Sequence, residues 1–278
     1  MWTQQFIETT RGTFEFFIKG EGEPICVTHL YSAYNEKGNT FANPFTEHYT
    51  VYLVNLRGAG NSVGSVQKDD FSMKESIEDL EAIRTALQFE QWAFAGHSTG
   101  GMLGLVYAIQ ASDSLTKMII GGAATSKEYL HHPDSIYCQE NPNNERLKDI
   151  IRTINNPITL AEEKRPLSRE WTEMSLYRPE NYEQYFNKPN SGSTVPERLD
   201  YYSYTELPNY DITAQLSTIS IPTIVYCGVH DAQCPYVFSE QIADAIPNAQ
   251  LITFSESNHL PFTEEAEKFV DMVAEQVK

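Results

Sequence analysis

Six residues constrain this chain more than any others: Gly96-His97-Ser98-Thr99-Gly100-Gly101. They follow a short β-rich run, Gln91-Trp92-Ala93-Phe94-Ala95, and precede an apolar stretch, Met102 to Ala111, that reads as a buried helix. A G-x-S-x-G pattern between strand and helix forces a sharp turn with the serine at its apex. A residue there must adopt a strained backbone, and side chains two positions to either side would collide with it. Gly96 and Gly100 remove those collisions, and Gly101 lets the helix approach the strands. The turn raises the Ser98 hydroxyl above the strand ends and sets the Thr99 backbone N–H at the positive end of the helix.

The other elements give this turn a setting. Tyr49–Val54 and Ile221–Tyr226 are β-branched and aromatic runs, and Pro24–Val27, Lys117–Ile120 and Gln250–Phe254 read the same way. Their nearly continuous apolarity predicts strands covered on both faces, as in a parallel sheet. Thr13–Ile18, ahead of Gly20-Glu21-Gly22, predicts an opening antiparallel hairpin. Ser72-Met73-Lys74-Glu75 has the form of a capping box, followed by an apolar stripe of Met73, Ile77, Leu80, Ile83 and Leu87. A last helix near 263–277 would carry Glu264 and Glu265 at its positive end and bury Phe269, Val270, Val273 and Val277. Strands and helices alternating at this pitch predict an α/β fold with helices on both sides of the sheet. Residues 126–210 break the rhythm: they hold nine of the sixteen tyrosines, and prolines including Pro157, Pro166 and Pro179 separate short helical stretches. The expected organisation is a core of residues 1–125 and 211–278 with a helical lid, 126–210, inserted between two strands.

Charge and composition exclude several functions. Acidic residues outnumber basic ones 38 to 20, a net charge of −18 that repels phosphate backbones and anionic lipid, so neither nucleic acid nor membrane is an expected partner. No apolar run approaches the roughly 18 residues that span a bilayer. The first residues carry neither a basic nor an apolar targeting region. Cys26, Cys138, Cys227 and Cys234 are too few and too irregularly spaced for a disulfide framework or zinc cluster, and four reduced thiols suit a cytoplasmic protein. No metal site is expected.

A serine hydroxyl attacks only when a base takes its proton. Of seven histidines, His259 lies in Ser257-Asn258-His259-Leu260-Pro261-Phe262, between the strand Gln250–Phe254 and the last helix. His29 ends an earlier strand, His97 and His230 adjoin other candidates, and His48, His131 and His132 read as surface residues. An acid that could orient the base follows the strand 221–226 in Gly228-Val229-His230-Asp231. Ser98, Asp231 and His259 thus all fall just past the carboxyl ends of predicted parallel strands, where such sheets bind their ligands.

With its residues in the order Ser98, Asp231, His259, the chain resembles the α/β-hydrolase superfamily over essentially its whole length, in the branch with a helical cap. Asn55-Leu56-Arg57-Gly58-Ala59-Gly60-Asn61-Ser62 is similar to that branch's R-G-x-G-x-S loop, with Asn55 where aspartate is more usual. The resemblance implies an eight-stranded, mostly parallel sheet, Ser98 as nucleophile, His259 as general base, Asp231 as its orienting acid, and no cofactor. The family's H-G-x oxyanion loop corresponds to His29-Leu30-Tyr31, so Tyr31 would supply the second oxyanion N–H and Thr99 the first; Leu30 stands in place of the glycine. Ser257-Asn258 stands where many relatives have glycine before the histidine. A serine at the elbow sets the chain apart from the dehalogenase and epoxide-hydrolase branches, which use aspartate. The resemblance leans towards proline-iminopeptidase-like hydrolases, whose lids hold carboxylates for a substrate's amino terminus. Glu170 and Glu173, around Trp171, are candidates for that role or solvated helix-face residues. The iminopeptidase elbow commonly reads G-G-S-W-G, which this one does not. Hydrolysis of a small-molecule ester or amide is therefore the first expectation and iminopeptidase action the second. A ligand receptor on the same fold, and a lyase using the same triad, remain as other classes.

Overall fold

Residues 1–276 are described in the computed structural model. Among them the strands are β1 (Thr3–Thr9), β2 (Gly12–Lys19), β3 (Glu23–Val27), β4 (Ser32–Ala33), β5 (Tyr49–Val54), β6 (Trp92–His97), β7 (Leu115–Gly121), β8 (Ser193–Thr194), β9 (Thr223–Gly228) and β10 (Ala249–Phe254). The α-helices are α1 (Met73–Ala86), α2 (Thr99–Gln110), α3 (Asn144–Asn155), α4 (Ala161–Glu173), α5 (Tyr182–Tyr185), α6 (Pro196–Tyr201), α7 (Tyr236–Ala245), α8 (Pro261–Glu264) and α9 (Ala266–Glu275).

Eight strands form one sheet in the order β1-β2-β5-β3-β6-β7-β9-β10. The pairs β1/β2 and β2/β5 are antiparallel and the rest parallel. Alternate residues explain the continuous apolar runs. In β6, Trp92 and Phe94 enter the core covered by α1, α2 and α7, whereas Ala93 and Ala95 enter the one covered by α9. Tyr52 and Val54 of β5 divide from Val51 and Leu53 in the same way. On α1, Met73, Ile77, Leu80 and Ile83 are all buried, each worth on the order of 1.5–3 kcal/mol. From β3 the chain passes to β5 on one side and later returns to β6 on the other. The crevice of this switch point opens at the carboxyl ends of β3 and β6.

Between β7 and β9 the chain leaves the sheet to form α3, α4, α5 and α6 with several 3-10 turns. An isolated bridge, Ser126 with Asp211, closes the base of this excursion. Its far end is tied to the segment after β3, where Ser32 pairs with Thr194 and Ala33 with Ser193.

Several local expectations are corrected. The hairpin partner of β2 is the preceding strand β1, through a turn at Thr10-Arg11; beyond Gly20–Gly22 the chain enters β3, which does not pair with β2, and the second antiparallel neighbour of β2 is the more distant β5. The polar sequence of β1 hides it: it is an edge strand with most residues exposed. Only half of the capping box forms. The Ser72 hydroxyl accepts the Glu75 N–H at 3.1 Å, but Glu75 pairs with Arg11, and the Ser72 N–H donates to the Asp69 carbonyl. The final helix is broken at Glu265 into α8 and α9. There the two carboxylates turn back to the preceding loop, Glu264 accepting the Asn258 N–H and Glu265 the Glu256 N–H and the Ser257 hydroxyl. Phe269, Met272 and Val273 are buried and Val270 only half-buried, while Val277 lies outside the described residues. Pro166 sits within α4 rather than between helices, at the cost of one main-chain hydrogen bond.

The turn between β6 and α2 fits its surroundings without slack. A Cβ on Gly96 would strike the Gly100 carbonyl, and one on Gly100 would lie 2.5 Å from the Thr28 carbonyl at the end of β3. The collisions are thus with the helix start and the neighbouring strand. Gly100→Ala is expected to destabilise the fold by about 1–3 kcal/mol or more, because the obstacle is main chain that cannot give way. Urea unfolding checks this, and an unchanged midpoint would refute it.

Candidate active site

Ser98 has φ 55° and ψ −125°, a strained conformation for a non-glycine residue. It is held there by its N–H, which donates to the Gly121 carbonyl at 2.9 Å. Its side chain faces a cavity of about 270 Å³ that Thr99, Tyr31, Met102, Tyr129, Tyr137, Trp171, Tyr202 and Gln233 also line. Of the nine tyrosines of residues 126–210, Tyr129, Tyr137, Tyr202 and Tyr204 face this cavity, while Tyr201 and Tyr210 are buried elsewhere. Thr99 begins α2, so its N–H has no carbonyl one turn back to bond.

His259 and Asp231 meet beside the turn between β6 and α2. His259 Nδ1 lies 3.0 and 2.9 Å from the two oxygens of Asp231, and both residues are 3% exposed. Asp231 Oδ1 also accepts the Gln233 and Cys234 N–H groups, each at 2.9 Å, which fixes the carboxylate against the imidazole. The His259 loop is shaped by the residues that replace glycine: Asn258 Oδ1 accepts the Ala232 N–H at 2.8 Å and Ser257 Oγ donates to Glu265. His97, beside Ser98 in sequence, packs its ring 4.6 Å from that of His259. Among the described residues the Ser98 hydroxyl has no hydrogen-bond partner.

Three histidines therefore converge, in different electrostatic states. Burial, with the nearby His259 and Arg198, pushes His29 down to about 3. Burial also holds His97 well below its ordinary value. Both are neutral at working pH, and His259 alone of the three has a carboxylate partner. His29 bonds Ser32 Oγ at 3.0 Å through Nδ1 and Thr99 Oγ1 at 3.1 Å through Nε2. The Tyr31 N–H meets only that same Nδ1, at 3.5 Å, the outer limit of a hydrogen bond. It is a donor with little to do.

The loop after β5 braces this region. Asn55, fully buried, donates to Glu15 at 2.7 Å and accepts the Tyr34 N–H at 2.7 Å; an aspartate there would face the Glu15 carboxylate. Arg57 makes a bidentate pair with the buried Asp79, at 2.9 and 2.7 Å, and Arg11 joins the same carboxylate. One residue had no sequence signal at all. Arg198, on α6, is 1% exposed and donates to the carbonyls of Leu30 and Arg57 and to Ser76 Oγ. The side chains of Glu170 and Glu173, by contrast, are engaged on the surface by Arg146 and Arg169 and do not line the cavity. Among the described residues no group of three or more histidines, cysteines or carboxylates is placed to hold a metal.

A family-wide profile for the α/β hydrolase fold matches residues 20–266. A solved α/β fold family hydrolase from Bacillus anthracis str. Sterne is 56% identical with a TM-score of 0.97, each chain covering 99% of the other. The chain belongs to the α/β-hydrolase fold family. Hydrolysis is the chemistry that membership supports. This α/β-hydrolase is also 24% identical to a proline iminopeptidase from Heyndrickxia coagulans, over 99% of this chain and 98% of that one. In fold it is similar to the esterase EaEST from Exiguobacterium antarcticum, at 21% identity and TM-score 0.73, covering 99% of both chains. Among its described residues no helix is long and apolar enough to cross a membrane.

Glu264 gives this site a pH signature. Its carboxylate accepts the N–H groups of Tyr177 and Asn258, the latter next to His259, and burial pushes its pKa up to about 7. Because the folded value is raised, its stabilising share is full below the ordinary carboxylate range and is lost as pH rises through about 7. The gap in melting temperature between the parent and Glu264→Gln is expected to be most in the parent's favour near pH 5 and to shrink towards pH 8.5. A gap independent of pH in thermal-shift measurements would refute this.

Proposed function

We propose that this α/β-hydrolase is a serine hydrolase that cleaves a small-molecule ester or amide through an acyl-enzyme on Ser98. The observation that carries the reading is the buried pairing of His259 Nδ1 with both Asp231 oxygens. It keeps the proton on Nδ1 and leaves Nε2 bare to accept the proton of a serine. In this mechanism Ser98 Oγ attacks the carbonyl carbon as His259 takes its proton. The tetrahedral oxyanion is held by the Thr99 N–H, at the positive end of α2, and by the Tyr31 N–H. His259 returns the proton to the leaving group, and water then repeats the sequence on the acyl-enzyme. Residues 1–125 and 211–278 carry this machinery and residues 126–210 act as the cap that roofs the cavity. No cofactor takes part, and neither nucleic acid nor membrane is needed as a partner. Four free, buried cysteines support a cytoplasmic, reducing setting.

The cavity supports a neutral substrate. Aromatic and aliphatic side chains dominate its lining, and Asp200 is its one charged residue among those described. With a net charge of −18 behind it, an anionic acyl group meets repulsion and no cation. Asp200, together with the iminopeptidase relatives, favours a second reading in which a substrate's amino terminus pairs with that carboxylate.

Intact mass after a fluorophosphonate, on the parent and on Ser98→Ala, tests the nucleophile: one adduct is expected on the parent and none on the variant. Asp231→Asn is expected to lower kcat by about 10³- to 10⁴-fold, as loss of the orienting acid does elsewhere. Neutral short-chain aryl esters should outpace both their anionic counterparts and prolyl-arylamides. Faster prolyl-arylamide hydrolysis would move the iminopeptidase reading to first place, and a parent without adduct would sink both.

A further inference from the structure

We infer that Arg198 is the positioning residue of the oxyanion hole: it grips the Leu30–Tyr31 peptide by its carbonyl and thereby aims the N–H at the other end of the same peptide. The inference rests on the reading above, in which Ser98 attacks and the Tyr31 N–H receives the oxyanion.

A trans peptide is planar, with its C=O and N–H pointing in opposite directions, so anchoring one end sets the other. Here the carbonyl of Leu30 accepts from Arg198 Nε, and the N–H of that peptide belongs to Tyr31. A glycine at position 30 would leave this backbone free to rotate. Leu30 does not: its side chain is buried in the core, and among the described residues only Gln88 and Ser98 are non-glycine positions with positive φ. The burial of Leu30 limits this peptide, and the contacts that hold its direction come from the excursion between β7 and β9. The Val195 N–H donates to the Tyr31 carbonyl at 2.8 Å, and β8 pairs with β4 just beyond. Arg198, on α6 immediately after, supplies the contact at the Leu30 carbonyl.

Its seating argues for a purpose beyond packing. The guanidinium is buried with no carboxylate within ion-pair distance among the described residues, an arrangement that costs stability. It is held by the Arg57 carbonyl at 2.9 Å, Ser76 Oγ at 2.7 Å and the face of Phe71 at 5.4 Å. Burial pulls it down to about 10, so it stays charged at neutral pH. A charged donor on a peptide oxygen polarises the whole unit and strengthens donation by its N–H. Arg198 thus does for the second oxyanion donor what the start of α2 does for Thr99, and it makes the oxyanion hole depend on the cap.

The test compares Arg198→Lys, Arg198→Gln and Ser76→Ala with the parent on an aryl ester, with near-ultraviolet circular dichroism reporting the fold. A native spectrum in either Arg198 variant is enough to read the result. Such a variant is expected to lose about 10- to 100-fold in kcat, short of deleting a donor outright, with KM within about twofold. Its affinity for a trifluoromethyl ketone, which forms an oxyanion on the serine, should fall in step. Ser76→Ala, which unseats one guanidinium nitrogen but leaves the Leu30 contact, should lower the melting temperature while keeping most of kcat. Native kcat in a folded Arg198 variant would overturn the proposal. So would an equal kcat loss in Ser76→Ala at equal loss of stability, or failure of both Arg198 variants to fold. A parent that hydrolyses the ester without a fluorophosphonate adduct on Ser98 would instead defeat the underlying reading.

Discussion

The architecture hangs on one close approach: the first turn of α2 against the carboxyl ends of β3 and β7. Ser98 keeps its strained backbone only because its N–H is bonded to Gly121 and because Gly100 lies against the Thr28 carbonyl. Strain of this kind persists where the surroundings over-determine it. The sheet supplies that determination, since β3, β6 and β7 are neighbours and each is buried on both faces. The same approach brings the loop after β3, with Tyr31, to the start of α2, so that Tyr31 and Thr99 line one cavity.

The excursion between β7 and β9 is more than a roof. It contributes aromatic walls through Tyr129, Trp171 and Tyr202. It also reaches into the machinery below: the His259 N–H donates to the Ser175 carbonyl, Gln233 bonds Ser175 Oγ, and Arg198 is buried beneath it against the β3 and β5 loops. The segment is thus joined to the histidine loop on one side and to the β3 loop on the other, and in the proposed mechanism this would couple substrate selection to the geometry of the reacting groups. Electrostatics sharpen the division of labour. Burial without a counter-charge keeps His29 and His97 neutral, as hydrogen-bonding and packing groups, whereas His259 is paired with the Asp231 carboxylate, the contact on which its proposed role in proton transfer rests.

Much of this was legible along the chain, for reasons that can be named. The glycines of the elbow are short-range requirements, and a strand that is buried on both faces must be apolar throughout, so β5, β6, β7 and β9 announce themselves. The order Ser98, Asp231, His259 is readable because each residue follows such a strand. What escaped depends on partners far away in sequence. β1 is polar because it is an edge. Glu75 leaves its capping box because Arg11, 64 residues earlier, offers a charge. The helix after His259 breaks because Glu264 and Glu265 bond the loop before it.

By itself the sequence determined which backbone positions tolerate no side chain, which runs are apolar enough for a two-sided sheet, and which serine, carboxylate and histidine follow the ends of those strands. Only the tertiary structure decided how those groups are poised. It set Glu170 and Glu173 outside the cavity against surface arginines, put tyrosines on the cavity wall, and gave an arginine from the middle of a featureless segment the carbonyl of Leu30. The reason is physical. Local requirements are written in neighbouring residues, whereas a buried charge takes its role from whichever carbonyls and carboxylates folding brings within about 3 Å.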